Sequence, residues 1–414
     1  MGLYHKWLVG VCALAAASSA GAAGFELGEQ GARPLGSALA GIGSGTDELS
    51  AAFWNPAGMA ADSRPGVAAG GSVIDPSIQF SGQQPDGGEA GNSGSPPQVF
   101  ARDRMGKGLV LGFALNAPFG LRTEWDGDWA GRYHAIESDL EVLQGTLSVA
   151  RQVGNGFSVG GGFVIQQLDV ELTNDIKTPA PADGFSRITG DSHGYGWLIG
   201  ALWQGGDTRL GLSYHSSVVH TIQGTQKREL PAALGAPLAG TKTFSATARL
   251  DLPARAVLGV RHDINKRWRG MVSLQWSEWS SYDELAVDVS GGPTASDVTR
   301  EKAWENAWSF ALGTEYDLTD RWTVRGGYRF EQTPVPDAEH RDPRLPDADR
   351  HRYGGGASYA WGAGWSLDAA YNYLDFASAK VENTVTNSLG ESATLDGSFD
   401  SSAQIVSLQV NKRF

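Results

Sequence analysis

The stretch Trp308-Ser309-Phe310-Ala311-Leu312-Gly313-Thr314-Glu315-Tyr316-Asp317-Leu318 has two chemically distinct faces. Trp308, Phe310, Leu312, Tyr316 and Leu318 share one, and Ser309, Gly313, Glu315 and Asp317 the other. A period of two marks a strand whose sides meet different surroundings. The next stretch repeats it, setting Trp322, Val324, Tyr328 and Phe330 against Thr323, Arg325, Gly327 and Arg329. So does 365–373, with Trp365, Leu367, Ala369, Tyr371 and Tyr373 opposite Ser366, Asp368 and Asn372. A strand face with two arginines cannot be a dry sandwich core, where each charge would need a buried partner. A wet lumen accepts it, and the greasy face then meets lipid. The fold class expected is all-β, a transmembrane antiparallel barrel.

Working outward, strands are expected near 66–84, 96–105, 108–125, 140–153, 157–172, 194–206, 208–224, 243–265, 268–287, 308–318, 322–334, 350–361, 365–383 and 401–414. That is fourteen, an even number, as single-chain bacterial barrels have. The eighth carries Pro253, read as a bulge in one strand, with two short strands as the alternative. Tight turns at Asp103–Lys107, Gly154–Gly156, Gly205–Asp207, Asn265–Arg267, Thr319–Arg321 and Gly362–Gly364 alternate with long polar loops. Those loops fall near 85–95, 126–139, 173–193, 225–242, 288–307, 335–349 and 384–400. Short periplasmic turns and long outer loops are the barrel pattern. The last strand alternates Val406, Leu408 and Val410 with Ser407, Gln409 and Asn411, and the chain ends at Phe414. Such an aromatic terminus resembles the signal read by barrel-assembly machinery, although a soluble strand can end the same way.

Composition agrees: 56 Gly, 14 Trp, 11 Tyr and 15 Phe accompany a negative mean hydropathy, because lipid-facing and lumen-facing residues average out. A formal net charge of −13 excludes nucleic acid as a partner, since nothing would neutralise phosphates. Residues 1–22 have the layout of a secretory signal peptide: His5 and Lys6, the apolar run Trp7 to Ala17, then small residues. Cleavage is expected after Ala22, with Ala23|Gly24 as the close alternative. The only cysteine, Cys12, lies within this segment, so no disulfide or thiol chemistry is expected of the mature chain. No metal-ligand spacing is present, and no metal or cofactor is expected.

Residues 23–62 lack alternation but carry Phe25, Leu27, Leu35, Leu39, Phe53, Trp54 and Met59. Disordered tails seldom hold so many large apolar groups. The expected division is therefore signal peptide 1–22, an N-terminal plug 23–62 packed inside the lumen, and barrel 63–414.

In family order along the chain stand Ala23-Gly24-Phe25-Glu26-Leu27-Gly28-Glu29-Gln30, Asn55-Pro56-Ala57-Gly58 and Phe119-Gly120-Leu121-Arg122-Thr123-Glu124-Trp125. Ser277-Glu278-Trp279-Ser280, Thr333-Pro334-Val335-Pro336 and Leu345-Pro346-Asp347-Ala348-Asp349-Arg350 follow. The ordered set resembles the FadL/TodX family of outer-membrane transporters for long-chain fatty acids and aromatic hydrocarbons. The resemblance implies a monomeric 14-stranded barrel with a hatch inside, set among outer-membrane lipid and lipopolysaccharide, that passes a hydrophobic small molecule. It also implies capture at the outer face, hatch rearrangement, and sideways release through a wall gap at a kinked third strand. Phe25 would then sit in the ligand pocket, or simply pack within the plug. Asn55, Pro56 and Ala57 would belong to the moving part of the hatch, or form a structural turn. Pro118, Phe119 and Gly120 would mark the gap: Pro118 removes a ladder donor and Gly120 weakens the strand, so pairing with a neighbour should fail locally. A plain rim turn at Pro118 is the alternative.

The basic residues that hold a carboxylate in fatty-acid members align with Asn174 and Glu305, and a glutamate there would repel a carboxylate. Arg269, Arg325 and Arg329 could substitute as lumen bases, or pair with Glu315, Asp317 and Asp368. The ligand is thus either a fatty acid or a neutral hydrocarbon. Rival readings are a general aqueous porin and an outer-membrane enzyme; the eight histidines show no hydrolase motif, and no catalytic residue is expected.

Overall fold

The computed structural model describes residues 24–45, 48–62, 64–106, 108–292 and 297–414; the expected signal peptide and its cleavage site lie outside them. Nineteen hydrogen-bonded segments make one antiparallel sheet, and five pairs of them continue each other, giving fourteen wall strands. They are β1 (Gly66–Gly82), β2 (Pro97–Met105), β3 (Leu109–Glu124), β4 (Glu137–Gly154), β5 (Phe157–Ile176) and β6 (Gly184–Gly205). β7 (Thr208–His215 and Val218–Leu230), β8 (Gly240–Leu252 and Arg255–Asp263), β9 (Trp268–Ser277 and Glu284–Ser290) and β10 (Val298–Glu301 and Ala307–Asp317) are each in two pieces. β11 (Trp322–Glu331), β12 (Arg350–Gly362), the two-piece β13 (Trp365–Phe376 and Ala379–Thr386) and β14 (Ser392–Arg413) complete the ring. β14 pairs back onto β1 from Gly66↔Arg413 to Gly82↔Gly397, so the sheet closes and has no free lateral edge at the seam.

The break at Pro253 does not create a new wall position. Both pieces of β8 lie between β7 and β9, the upper piece on Val218–Leu230 and the lower on Thr208–His215. Several outer segments expected as loops are strand: β6 starts at Gly184, β7 runs to Leu230, and β14 starts at Ser392. Above the bilayer both faces of a strand meet water, so the hairpins continue without the alternation that reveals them in the membrane. Within it, Trp308, Phe310, Leu312 and Trp322 are exposed outward while Ser309, Glu315, Arg325 and Arg329 are buried inward.

The residues from 24 to 62 form three single-turn helices, α1 (Ala32–Leu35), α2 (Ala51–Trp54) and α3 (Gly58–Ala61), joined by turns. Leu35, Leu39, Ile42, Phe53, Trp54 and Met59 are buried in one cluster with Phe100, Val110, Ala150, Val257 and Ala370, inward residues of β2, β3, β4, β8 and β13. Contacts thus reach the wall from many sides.

Wall glycines make room for this segment. A Cβ on Gly160 would lie 2.7 Å from the Ala57 nitrogen, and one on Gly200 would collide with the Asn55 side-chain oxygen. Overpacking of that kind costs about 1–3 kcal/mol. We expect Gly200→Val to leave the outer wall assembled but expel the Asn55 loop, seen as new protease cleavage between residues 24 and 62. An unchanged digestion pattern would refute the contact's importance.

Candidate functional site

Up to Asn116 the even-numbered residues of β3, Val110, Ala114 and Asn116, are buried inward. Pairing with β4 then steps from Asn116↔Gln144 to Phe119↔Val142, three residues against two. This is a bulge at Ala117-Pro118, and one extra residue exchanges the faces. Phe119 and Thr123 point inward beyond it, whereas uninterrupted alternation would have sent Phe119 into lipid. β3 does not end at Pro118; its ladder with β4 continues to Glu124↔Glu137.

The interruption lies on the other side. Pairing with β2 stops at Gln98↔Asn116, where β2 itself begins. The exposed edge of β3 is met instead by the N-terminal segment: Glu26 bridges Phe119, Leu27 N donates to Pro118 O at 2.8 Å, and Gly120 N donates to Phe25 O at 3.0 Å. A Cβ on Gly120 would come within 3.1 Å of Leu27 Cδ1. Gly120 therefore leaves room for that segment, and a β-branched residue here would press on Leu27 rather than restore a wall ladder.

Further anchors hold the same segment. Glu26 pairs with Arg255 at 2.8 Å and accepts from Gln275 Nε2 and Ser277 Oγ; Glu29 pairs with Arg352 at 2.8 Å. Asp347, from the β11–β12 loop, accepts Gly24 N at 3.0 Å and Thr333 Oγ1 at 2.8 Å, and burial pushes its carboxyl up to about 6.

Phe25 lies between two cavities. Its ring makes edge contacts with Trp279 and Phe119, 4.8 and 6.0 Å between centroids. On one side is a narrow apolar cavity of about 90 Å³, lined by Val170, Ile222, Leu250, Tyr282, Trp304 and Val335. On the other is a cavity of about 660 Å³ that runs past Phe119 and Gly120 to Leu143, an outward-facing residue of β4. Phe25, Leu121, Leu140 and Leu345 line both.

Lys302 and Arg344 stand at the rim of the narrow cavity, with Asp342 between them. Lys302 Nζ forms an ion pair with Asp342. Burial alone would raise that carboxyl, but Lys302 and Arg344 outweigh it and hold it well below the ordinary range. Sequence reasoning missed both cations. Asn174 lines a different, outer cavity, and Glu305 is exposed with its N–H on Pro334 O; Glu305 does not line the apolar cavity.

The other sequence candidates are structurally engaged. Asn55 is buried, donating to Gly43 O at 2.6 Å and Ala201 O at 3.1 Å and accepting from Ala57 N at 3.0 Å, while Pro56 lies against Gly160 and Gly200. Arg269 and Arg325 both pair with Glu315, at 2.8 and 3.0 Å, and Arg33 joins the same carboxylate at 2.8 Å. Arg269 also pairs with Asp317. Arg329 pairs with Glu331 at 2.7 Å, a partner the strand pattern did not single out. Among the described residues, no group of three or more potential metal ligands comes together.

The chain matches the family model described as "Outer membrane protein transport protein (OMPP1/FadL/TodX)" over residues 13–414. It is 28% identical to the long-chain fatty acid transport protein of Salmonella typhi, over 92% of this chain and 93% of that one. It is 26% identical to outer membrane protein P1 of Haemophilus influenzae, over 95% and 94%. The crystal structure of a Pseudomonas aeruginosa FadL homologue superposes with a TM-score of 0.87 at 28% identity, covering 95% of this chain and all of that one. The Ralstonia pickettii toluene transporter TbuX shares the fold, with a TM-score of 0.68 at 20% identity over 89% of this chain and 94% of that one. A closed antiparallel barrel with a bulged third strand, matched by the family model along nearly its whole length, thus belongs to the FadL/TodX family of outer-membrane transport proteins.

Proposed function

We propose that the chain takes up long-chain fatty acids, holding the tail in the apolar cavity beside Phe25 and releasing it sideways into the bilayer at the β3 bulge. The observation that carries this is the placement of Phe25. It separates a narrow apolar cavity from a larger one that reaches Leu143 on the outer wall, and its own backbone meets the edge of β3 that β2 leaves open. Withdrawal of residues 24–30, the hatch end of the plug, would join the two cavities. Sideways release fits the solute: each methylene kept out of water is worth roughly 0.8 kcal/mol, which release into the periplasm would forfeit.

A carboxylate head is supported by the cations that line the cavity, Lys302, Arg344 and Arg249, against the carboxylate of Asp342; Arg249 is itself paired with Asp251 at 2.8 Å. Relatives at 28% identity over nearly the full length are named for long-chain fatty acid transport, which adds to this reading. The aromatic lining of Phe25, Tyr282 and Trp304 would also suit a neutral aromatic hydrocarbon.

An uptake-deficient strain carrying this chain should accumulate labelled oleate, and toluene far less. Phe25→Ala should lower oleate uptake about thirtyfold with the barrel assembled, as loss of a buried aromatic anchor commonly costs about 2 kcal/mol. Accumulation of neither compound above an empty-vector control would overturn the proposal; toluene alone would overturn the fatty-acid part.

A further inference from the structure

We infer that the larger cavity contains a transit site for the ligand's anionic head at Arg352, where an incoming carboxylate takes the place of Glu29 of the plug and so holds the hatch open. The inference rests on the uptake reading above, withdrawal of residues 24–30 included, and makes that withdrawal selective for carboxylates over neutral molecules.

Arg352 and Glu29 both line the cavity of about 660 Å³, Arg352 from β12, whereas the way out past Gly120 lies at β3. Leu374 and Phe376 of β13, Ala403 and Ile405 of β14 and Ile74 of β1 line the same cavity, which gives a hydrocarbon tail an apolar wall. Glu29 takes Arg352 Nη1 at 2.8 Å, a nitrogen that also stands 3.4 Å from Asn372 Oδ1. Arg352 Nε is buried and donates to no group among the described residues, with Glu331 standing 3.7 Å away. Glu29 thus uses one prong of the guanidinium fork, and its backbone is tied down where its carbonyl accepts Gln98 Nε2 at 2.7 Å. A free carboxylate can take two donors of the fork at once.

The balance of charge argues the same way. Arg255, Arg329, Arg350 and Arg352 are buried around Glu26, Glu29 and Glu331. Two of those three carboxylates belong to the segment that must leave. Its withdrawal alone would leave four guanidinium groups to Glu331 and, near Arg350, Asp347. Arg255 Nε and Arg329 Nη1 already lack a hydrogen-bond partner in the closed state. Uncompensated buried charge is costly, so the segment is drawn back. A carboxylate at Arg352 restores a negative charge as Glu29 departs; an alcohol or a hydrocarbon restores none. The ligand shifts the equilibrium because it binds the withdrawn state better, and Glu29 is its stand-in while the hatch is closed.

The test uses the full chain in lipid nanodiscs, with Leu27→Cys as reporter and Cys12→Ser removing the native thiol. It compares oleate with oleyl alcohol, the same chain with an uncharged head. Leu27 lies against Gly120 in the closed state, so labelling by a water-soluble maleimide reports withdrawal. Oleate should speed labelling about tenfold, and oleyl alcohol should not. With Glu29→Gln added, labelling should be fast without ligand. Oleate should then bind about tenfold more tightly, the worth of one charge-assisted hydrogen bond no longer contested, with oleyl alcohol unchanged. A merely structural Glu29 would loosen the segment without favouring either ligand. Equal acceleration by both ligands, or oleate binding no tighter in Glu29→Gln, would overturn the transit site while leaving uptake by the chain intact. Binding of both ligands with no change in labelling would overturn the withdrawal and the transit site together. If Glu29→Gln does not give the heat-modifiable band of an assembled barrel, oleate against oleyl alcohol on the reporter chain alone decides.

Discussion

A disulfide between positions 26 and 119 is expected to stop oleate uptake until it is reduced. Glu26 and Phe119 face each other across the short pairing of the N-terminal segment with β3, flanked by the bonds Leu27 N to Pro118 O and Gly120 N to Phe25 O. That makes them a non-hydrogen-bonded pair, for which Cα atoms stand about 4.5 Å apart, inside the roughly 4.4–6.8 Å a disulfide spans. The sequence has one cysteine, Cys12, so a Glu26→Cys, Phe119→Cys chain that also carries Cys12→Ser offers no competing partner. Glu26→Cys also deprives Arg255 of its carboxylate, which is why the reduced double variant, not the wild type, is the reference. Arg255 keeps His215 Nδ1 at 3.2 Å and the Phe53 ring at 4.5 Å, so it is not left wholly unsupported. If residues 24–30 must leave β3 for ligand to pass, oxidation should cut uptake by at least about tenfold, as blocking an obligatory gating step does, and reductant should restore it. Equal rates in the two redox states would mean that ligand passes without moving this segment, and the lateral route through the bulge would fall.

The membrane wall was readable from sequence because it obeys a single rule. Trp308, Phe310 and Leu312 face out and Ser309, Glu315 and Arg325 face in, and a period of two says so wherever one side is lipid and the other a polar lumen. Outside the bilayer that contrast disappears, which is why 173–193 and 384–400 read as loops although much of each is strand. The bulge had one visible sign, Pro118. Its consequence, the exchange of faces that turns Phe119 inward, depends on how β3 registers against β4, and no residue type records a register. Lys302 and Arg344 were missed for another reason. One comes from the break within β10 and the other from the β11–β12 loop, and they meet only because both fold back over the mouth. Glu305 is exposed, three residues from the lysine that lines the cavity. The wall glycines carried a signal that composition alone could not localise. Gly160 and Gly200 lie where Pro56 and Asn55 touch the strand backbone, which a strand-by-strand reading cannot see.

Glu331→Gln should destabilise the assembled barrel more than any other single charge neutralisation proposed here, by roughly 3–5 kcal/mol. Glu331 takes Arg329 and Arg350 at 2.7 Å each and Arg352 at 3.7 Å, and all four side chains are nearly fully buried. Glutamine preserves the shape and removes the charge, leaving Arg329 and Arg350 without their close carboxylate; Glu29 stays paired with Arg352, and Glu26, Glu29 and Asp347 act on the other two only from a distance. At a surface the same change would matter little. Arg64 pairs with Asp62 at 2.9 Å but is largely exposed, so Arg64→Ala should shift stability by no more than about 1 kcal/mol. The contrast separates desolvated charge from mere proximity. It also reaches the N-terminal segment: once Arg352 is repelled by unpaired Arg329 and Arg350, its hold on Glu29 should slacken and expose residues 24–30 to protease. Urea titration followed by heat-modifiable mobility reads the stability, and digestion of the folded variant reads the coupling. A Glu331→Gln midpoint no lower than that of Arg64→Ala would show that water in the lumen screens these charges, and that the ion-pair network does not hold the segment in place.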